Sequence, residues 1–219
     1  MAVIDPRFDE TTFIVIDFEG LTPAGRPAEP VEVAALALRP EHGRLVETGR
    51  FEELIRPPAD VPVTAMDVRL KGITERMLAP GAPASVVMAR LDAGLPASPC
   101  RLVAHHASTE AGIIARQAEH CPRLAAIPLL DTLRLAKATV PGLSSYRLDS
   151  LLAHYGIPRP AGRHRAMPDV EVTAQLLVRL LADGEWDGRR RSLLELDMTA
   201  GVRPKRSSSA PEGEQSCLF

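Results

Sequence analysis

Asp17 and Glu19 stand two residues apart at the end of an apolar run, Phe13-Ile14-Val15-Ile16. In extended chain, residues i and i+2 leave the same face, so both carboxylates point one way. Two like charges desolvated side by side are costly, and a divalent cation is the usual compensation. Taken alone, the pair also fits a strand end running into solvent. Groups of matching chemistry recur downstream. Glu110 falls in the first turn of a helix expected from Ser108 to His120. Pro168 biases Met167 away from helical geometry, which places His164 in the preceding loop. Asp169 then falls in the first turn of a helix expected from Pro168 to Leu181, with proline at its first position. Helix N-termini favour anionic side chains, which helps to keep Glu110 and Asp169 ionised.

The elements that must position these groups follow from hydrophobic pattern. Phe13 to Ile16 reads as a central strand buried on both faces. Val31 to Leu38 and Arg44 to Ile55 read as two more strands, with Gly49 as a bulge, and three strands in succession suggest an antiparallel meander. Glu32 lies within the second strand and is read as solvent-facing, the alternative being the cleft of Asp17. Helical turns interrupted at Gly72 are expected between Val63 and Met77, and a helix between Ser85 and Ala93. Leu102-Val103-Ala104 and Leu129-Leu130 are short buried strands, and Asp131-Thr132 caps a helical segment from Leu133 to Ala138. Ser145 to Tyr155 reads as a helix closed by Gly156. Strands first, then strands alternating with helices, describe a mixed α/β sheet of about five strands flanked by helices. After Gly184 the chain changes character: Trp186 to Met198 reads as a short helix, and Thr199 onward as disordered.

Composition limits what this sheet can serve. Across 219 residues, 45% are hydrophobic and 25% charged, ordinary for a soluble globular protein. A formal net charge of −2 excludes a globally basic nucleic-acid binder, so any such contact is local. Three cysteines, Cys100, Cys121 and Cys217, sit at no zinc-ligand spacing, which favours a reduced cytoplasmic protein. Met1 to Glu10 lacks an apolar signal-peptide core, and no apolar run approaches bilayer length, so no membrane partner is expected.

Asp17-Phe18-Glu19, the stretch Val103-Ala104-His105-His106-Ala107-Ser108-Thr109-Glu110, and His164 with Asp169 resemble, in order and spacing, the three motifs of the DEDDh 3′–5′ exonucleases. This is the DnaQ-like family, which includes polymerase proofreading subunits, RNase T and oligoribonuclease. The likeness runs from Phe13 to Asp183 and takes in the Lys71-Gly72-Ile73-Thr74 turn and the Leu148-Asp149-Ser150-Leu151 helix. It implies an RNase H-like fold and a two-metal mechanism. Asp17, Glu19 and Asp169 would hold two Mg²⁺ or Mn²⁺ ions, with Glu110 supporting the second; oxygen-only ligands suit these ions over zinc. Roughly 3.5–4 Å apart, such ions stabilise the attacking and leaving oxygens of a phosphodiester together. His164 would take the proton from the attacking water. Gly20 would let a substrate 3′ end approach the backbone, a plain turn being the alternative, and His105 and His106 are the other residues expected at the substrate.

The resemblance implies release of nucleoside 5′-monophosphates from a single-stranded or frayed 3′ end of DNA, with association to replication or repair. RNA trimming is the alternative substrate class. A weakly catalytic nucleic-acid-binding adaptor is the alternative from outside enzymology, motivated by Glu110 where the family carries Asp. Gly20-Leu21-Thr22 also departs from the Thr-Thr-Gly frequent there. A zinc site built from His105, His106, His120, Cys100 and Cys121 finds no support in spacing, and packing and helix-end roles are the better reading. Arg189, Arg190 and Arg191 read as a solvated charge run.

Residues 1–184 are thus expected to form the exonuclease-like domain, and 185–219 a short helix and flexible tail. Gln215-Ser216-Cys217-Leu218-Phe219 resembles the Gln-x-x-Leu-Phe pentapeptides by which bacterial replication and repair proteins bind the sliding clamp. Gln215, Leu218 and Phe219 are the expected partner contacts, carried on a tether from Arg206 to Glu214.

Overall fold

The computed structural model describes residues 5–160 and 164–203. Strands β1 (Thr12–Leu21), β2 (Glu29–Glu41) and β3 (Arg44–Arg56) form the antiparallel meander. The short strands β4 (Ala82–Pro83), β5 (Cys100–Ala104), β6 (Leu129–Asp131) and β7 (Gly201–Val202) complete a seven-stranded sheet in the order β4-β3-β2-β1-β5-β6-β7. Strands β5 and β6 continue parallel to β1, and β7 returns antiparallel on β6. All five expected strands are present. The additions are two-residue edge strands, too short to leave a periodic signature.

Ten helices are described: α1 (Pro6–Glu10), α2 (Ala65–Lys71), α3 (Glu75–Leu78), α4 (Ala84–Ala93), α5 (Ser108–Arg116), α6 (Pro122–Ala126), α7 (Thr132–Thr139), α8 (Leu148–His154), α9 (Ala166–Asp183) and α10 (Leu193–Ala200). Alternation along β1 divides the core. Phe13 and Val15 join Ala34, Leu36 and Leu38 of β2 under α8, α9 and α10. Ile14, Ile16 and Phe18 join Val33 and Ala35 under α4, α5 and α6. Each buried side chain of this size contributes about 1.5–3 kcal/mol relative to exposure. The same parity carries Asp17 and Glu19 onto the face of Phe13 and Val15, toward α9, and places Glu32 there as well.

Several boundaries differ from the sequence expectation, each for a local reason. The helix of Glu110 ends at Arg116, and Pro122 opens a separate α6, proline being favoured at a first helical position. Helix α8 begins at Leu148, because the Ser145 hydroxyl accepts from the Arg147 N–H ahead of it. Helix α9 begins at Ala166, which puts Pro168 third; its missing N–H costs nothing there, since the first four lack intrahelical partners. Gly20 is no turn residue. It lies inside β1 at the register shift after Glu19, where an added Cβ would meet Ala28 Cβ and the Glu29 carbonyl, each at 3.2 Å. The bulge expected at Gly49 falls beside it, at Thr48, which has no partner between Ala37↔Gly49 and Leu38↔Glu47.

Beyond Gly184 the ordered body continues, against the expectation of disorder from Thr199. Trp186, Leu193, Leu196 and Ala200 are buried in the α9 core, Ser192 and Glu195 form a capping box on α10, and Gly201–Val202 pairs with β6. Gln215, Leu218 and Phe219 lie outside the described residues. No described helix is long and apolar enough to cross a membrane.

Candidate active site

The carboxyl end of β1, the first turns of α5 and α9, and His164, two residues before α9, converge at one end of the sheet. Among the described residues, Glu19, His164 and Asp169 form a group whose ligand atoms all lie within 4.8 Å of one another. Asp17 shares a cavity of about 440 Å³ with His164, Asp169, His105, His106 and Arg147. Four of the five residues expected in catalysis are thereby brought together. Glu110 stands on the buried side, 4% exposed, near enough to Glu19 and Asp131 for their charges to act on its carboxyl.

Burial dominates the electrostatics. Desolvation pushes Glu19 up to about 7, although the Lys71 ammonium lies 3.3 Å from Glu19 Oε2 and opposes the shift. Lys71, the last residue of α2, also donates to the Gly20 carbonyl, and Gly72 at φ +68 turns the chain away behind it. Burial raises Glu110 to about 8, with Asp131 and Glu19 adding repulsion. Glu110 Oε2 is buried and has no hydrogen-bond partner among the described residues. A buried carboxylate oxygen of this kind is costly unless paired, and a hard divalent cation is a fitting partner for an all-oxygen donor set. The residues therefore fit a hard divalent cation.

The second motif is held from β6 and α7. His105 Nδ1 lies 2.9 Å from Thr132 Oγ1. The His106 N–H donates to Asp131 Oδ1 at 3.0 Å, the same oxygen that accepts the Leu133 N–H and caps α7. His106, at φ +65, turns the chain sharply between β5 and α5. Cys100 and Cys121 are free thiols away from this group.

Two expectations are overturned: burial outweighs the helix N-terminus at Glu110, which is held protonated rather than ionised at neutral pH, and Glu32 is not at the surface. Glu32 is fully buried rather than solvent-facing, and it binds Arg165: Nε donates at 3.0 and 2.9 Å and Nη2 at 2.6 Å, while the Ala166 N–H donates to Oε2 at 3.1 Å. A lone carboxylate inside the apolar run Val31 to Leu38 was the available signal. The sequence places Lys71 only in a turn and holds no signal for Arg147 or Arg165, because an isolated basic residue carries no pattern before folding.

The chain is 31% identical over 180 residues to a DNA polymerase III PolC-type from Thermotoga petrophila and 30% identical over 178 residues to one from Oceanobacillus iheyensis. Each match takes in 81% of this chain and 12% of the relative, so the chain spans about an eighth of the length of these curated relatives. Among solved structures, it superposes on the nuclease domain of 3′hExo, a DEDDh family member bound to rAMP, with a TM-score of 0.69 at 19% identity, covering 85% of this chain and 97% of that one. Exonuclease X in complex with 5′ overhanging duplex DNA gives a TM-score of 0.58 at 25% identity, covering 80% and 93%. Residues 14–177, from near the start of β1 through most of α9, match the RNase_T family, described as Exonuclease, and the chain belongs to that family.

Proposed function

We propose that this chain is a DEDDh 3′–5′ exonuclease that releases nucleoside 5′-monophosphates from DNA 3′ ends. The observation that carries the reading is the meeting of Glu19 with His164 and Asp169 within 4.8 Å, from two sequence segments some 145 residues apart, at a cleft shared with Asp17. Asp17, Glu19 and Asp169 would hold two Mg²⁺ or Mn²⁺ ions, with Glu110 supporting the second. When bound, the ions stabilise the attacking and leaving oxygens of the phosphodiester. His164, exposed at the mouth of the cleft, takes the proton from the attacking water. His105 and His106 line the cleft where the terminal nucleotide enters. The similarity to PolC-type polymerases supports DNA as substrate and a role in proofreading or repair.

Digestion of matched DNA and RNA oligonucleotides in Mg²⁺ or Mn²⁺ tests this reading. DNA shortened at least as fast as RNA supports it. RNA preferred by tenfold or more moves the substrate to RNA, and binding of either strand without shortening leaves the adaptor reading instead. The Gln215, Leu218 and Phe219 segment is proposed to dock on a bacterial sliding clamp. A labelled 212–219 peptide should bind clamp with Kd of about a micromolar, and equal binding by a Leu218→Ala, Phe219→Ala peptide ends that proposal.

A further inference from the structure

His164 sits at φ +65, a left-handed conformation that a non-glycine residue holds only when its surroundings fix it. The residues that fix it come next in the chain. Arg165 returns to extended geometry at φ −123 and ψ 141, and α9 then begins with no side-chain cap of its own. Glu32 supplies what is missing, from β2. Its carboxylate accepts three contacts from the Arg165 fork and the first helical N–H, that of Ala166. It is 0% exposed, and the Arg165 side chain is 29% exposed. Glu32 also stands directly across from Glu19 in the β1–β2 register. One buried carboxylate therefore ties the segment of His164 and Asp169 to the strand pair that carries Asp17 and Glu19.

From this geometry we infer that Glu32 and Arg165 form a latch that sets His164 over the site carboxylates, with Glu32 as a positioning residue. A phosphate-binding role for Arg165 fits less well, because Nε and Nη2 are already committed to Glu32. A purely structural role would call for any well-packed group in the strand. The latch needs a planar anion that accepts a fork and a helix N–H at once. Three residues on, Asp169 is tied to α9 whatever its first N–H binds. His164 lies outside α9, directly before the Arg165 that Glu32 holds, so loss of the latch falls chiefly on His164.

The inference rests on the proposed role of His164, and two measurements separate the two. Glu32→Gln keeps the shape and removes the charge, and it should lower kcat about 10–100-fold with little change in KM, as partners that orient a reacting group do. In a His164→Ala background the same change should cost less than about twofold, since the group it positions is already gone. Arg165→Lys keeps the charge, loses the fork, and should match Glu32→Gln. Equal losses in both backgrounds, or a Glu32→Gln enzyme at the parental rate, would overturn the latch. Hydrogen exchange needs no activity: in Glu32→Gln the amides of residues 164–170 should exchange faster while those of β1 and β2 stay protected. Unchanged exchange there overturns the latch even in a protein that digests nothing, and inactivity of the parental protein counts against the proposed function alone.

Discussion

Burial sets the charge state of two site carboxylates. Glu19 and Glu110 are raised to about 7 and about 8, so between about pH 5 and 8 the folded chain holds protons that the unfolded chain has released. Stability must then fall as pH rises through that window, because ionisation leaves buried charge. Ligation requires the deprotonated forms, so a divalent cation should restore the loss. Calorimetry in chelator should show Tm falling from pH 5 to 8, and Mg²⁺ or Mn²⁺ should raise Tm more at pH 8 than at pH 6. A metal-free Tm flat across the window would contradict the burial account. His164 stands at the exposed mouth of the cleft. His164→Ala should lower kcat by about 10²–10⁴-fold with little effect on cation affinity, the range for a lost general base. A mutant that retains the parental rate would remove His164 from the chemistry.

At the scale of elements, α9 is the member that both packs and presents. Val170, Leu176, Leu177 and Leu180 are fully buried against the sheet, while the first turn of the same helix delivers Asp169. Leu176→Ala should cost about 2–5 kcal/mol of stability through the cavity it leaves. Its kcat should stay near parental at temperatures where it is folded, because the packing lies two turns from Asp169. The α10 cap gives the contrasting case. Ser192 accepts the Glu195 N–H at 3.2 Å on the far side of the core, so Ser192→Ala should cost about 1 kcal/mol and leave activity untouched. Chemical denaturation with parallel rate assays reads both. A rate loss in Ser192→Ala beyond its loss of folded fraction would mean α10 communicates with the site.

Across the whole molecule, what was legible in the sequence was what periodicity and local chemistry write down. The run Phe13 to Ile16 ends in Asp17 and Glu19, and parity alone puts both on the α9 face, where the structure has them. The first-turn positions of Glu110 and Asp169 survived even though α5 ends early and α9 starts early, because both depend on the helix start within two residues. The latch was not legible, since a Glu in a strand reads as a solvent-facing residue until its partner 133 positions away is brought beside it. Strand β7 and the burial of Trp186 were hidden for the same reason: Gly201-Val202 has no pattern of its own and is a strand only because β6 is there to pair with it. Lys71 shows the limit most plainly, placed in a turn by its neighbours and beside Glu19 only by the fold.

The most direct test of the central claim is a single-turnover time course on a 5′-labelled DNA strand, run with Mg²⁺, with chelator, and with Asp169→Ala. The site described here predicts a ladder shortened one nucleotide at a time from the 3′ end in Mg²⁺, and no shortening with chelator or with the mutant. Digestion by Asp169→Ala at the parental rate, or undiminished digestion in chelator, would contradict it.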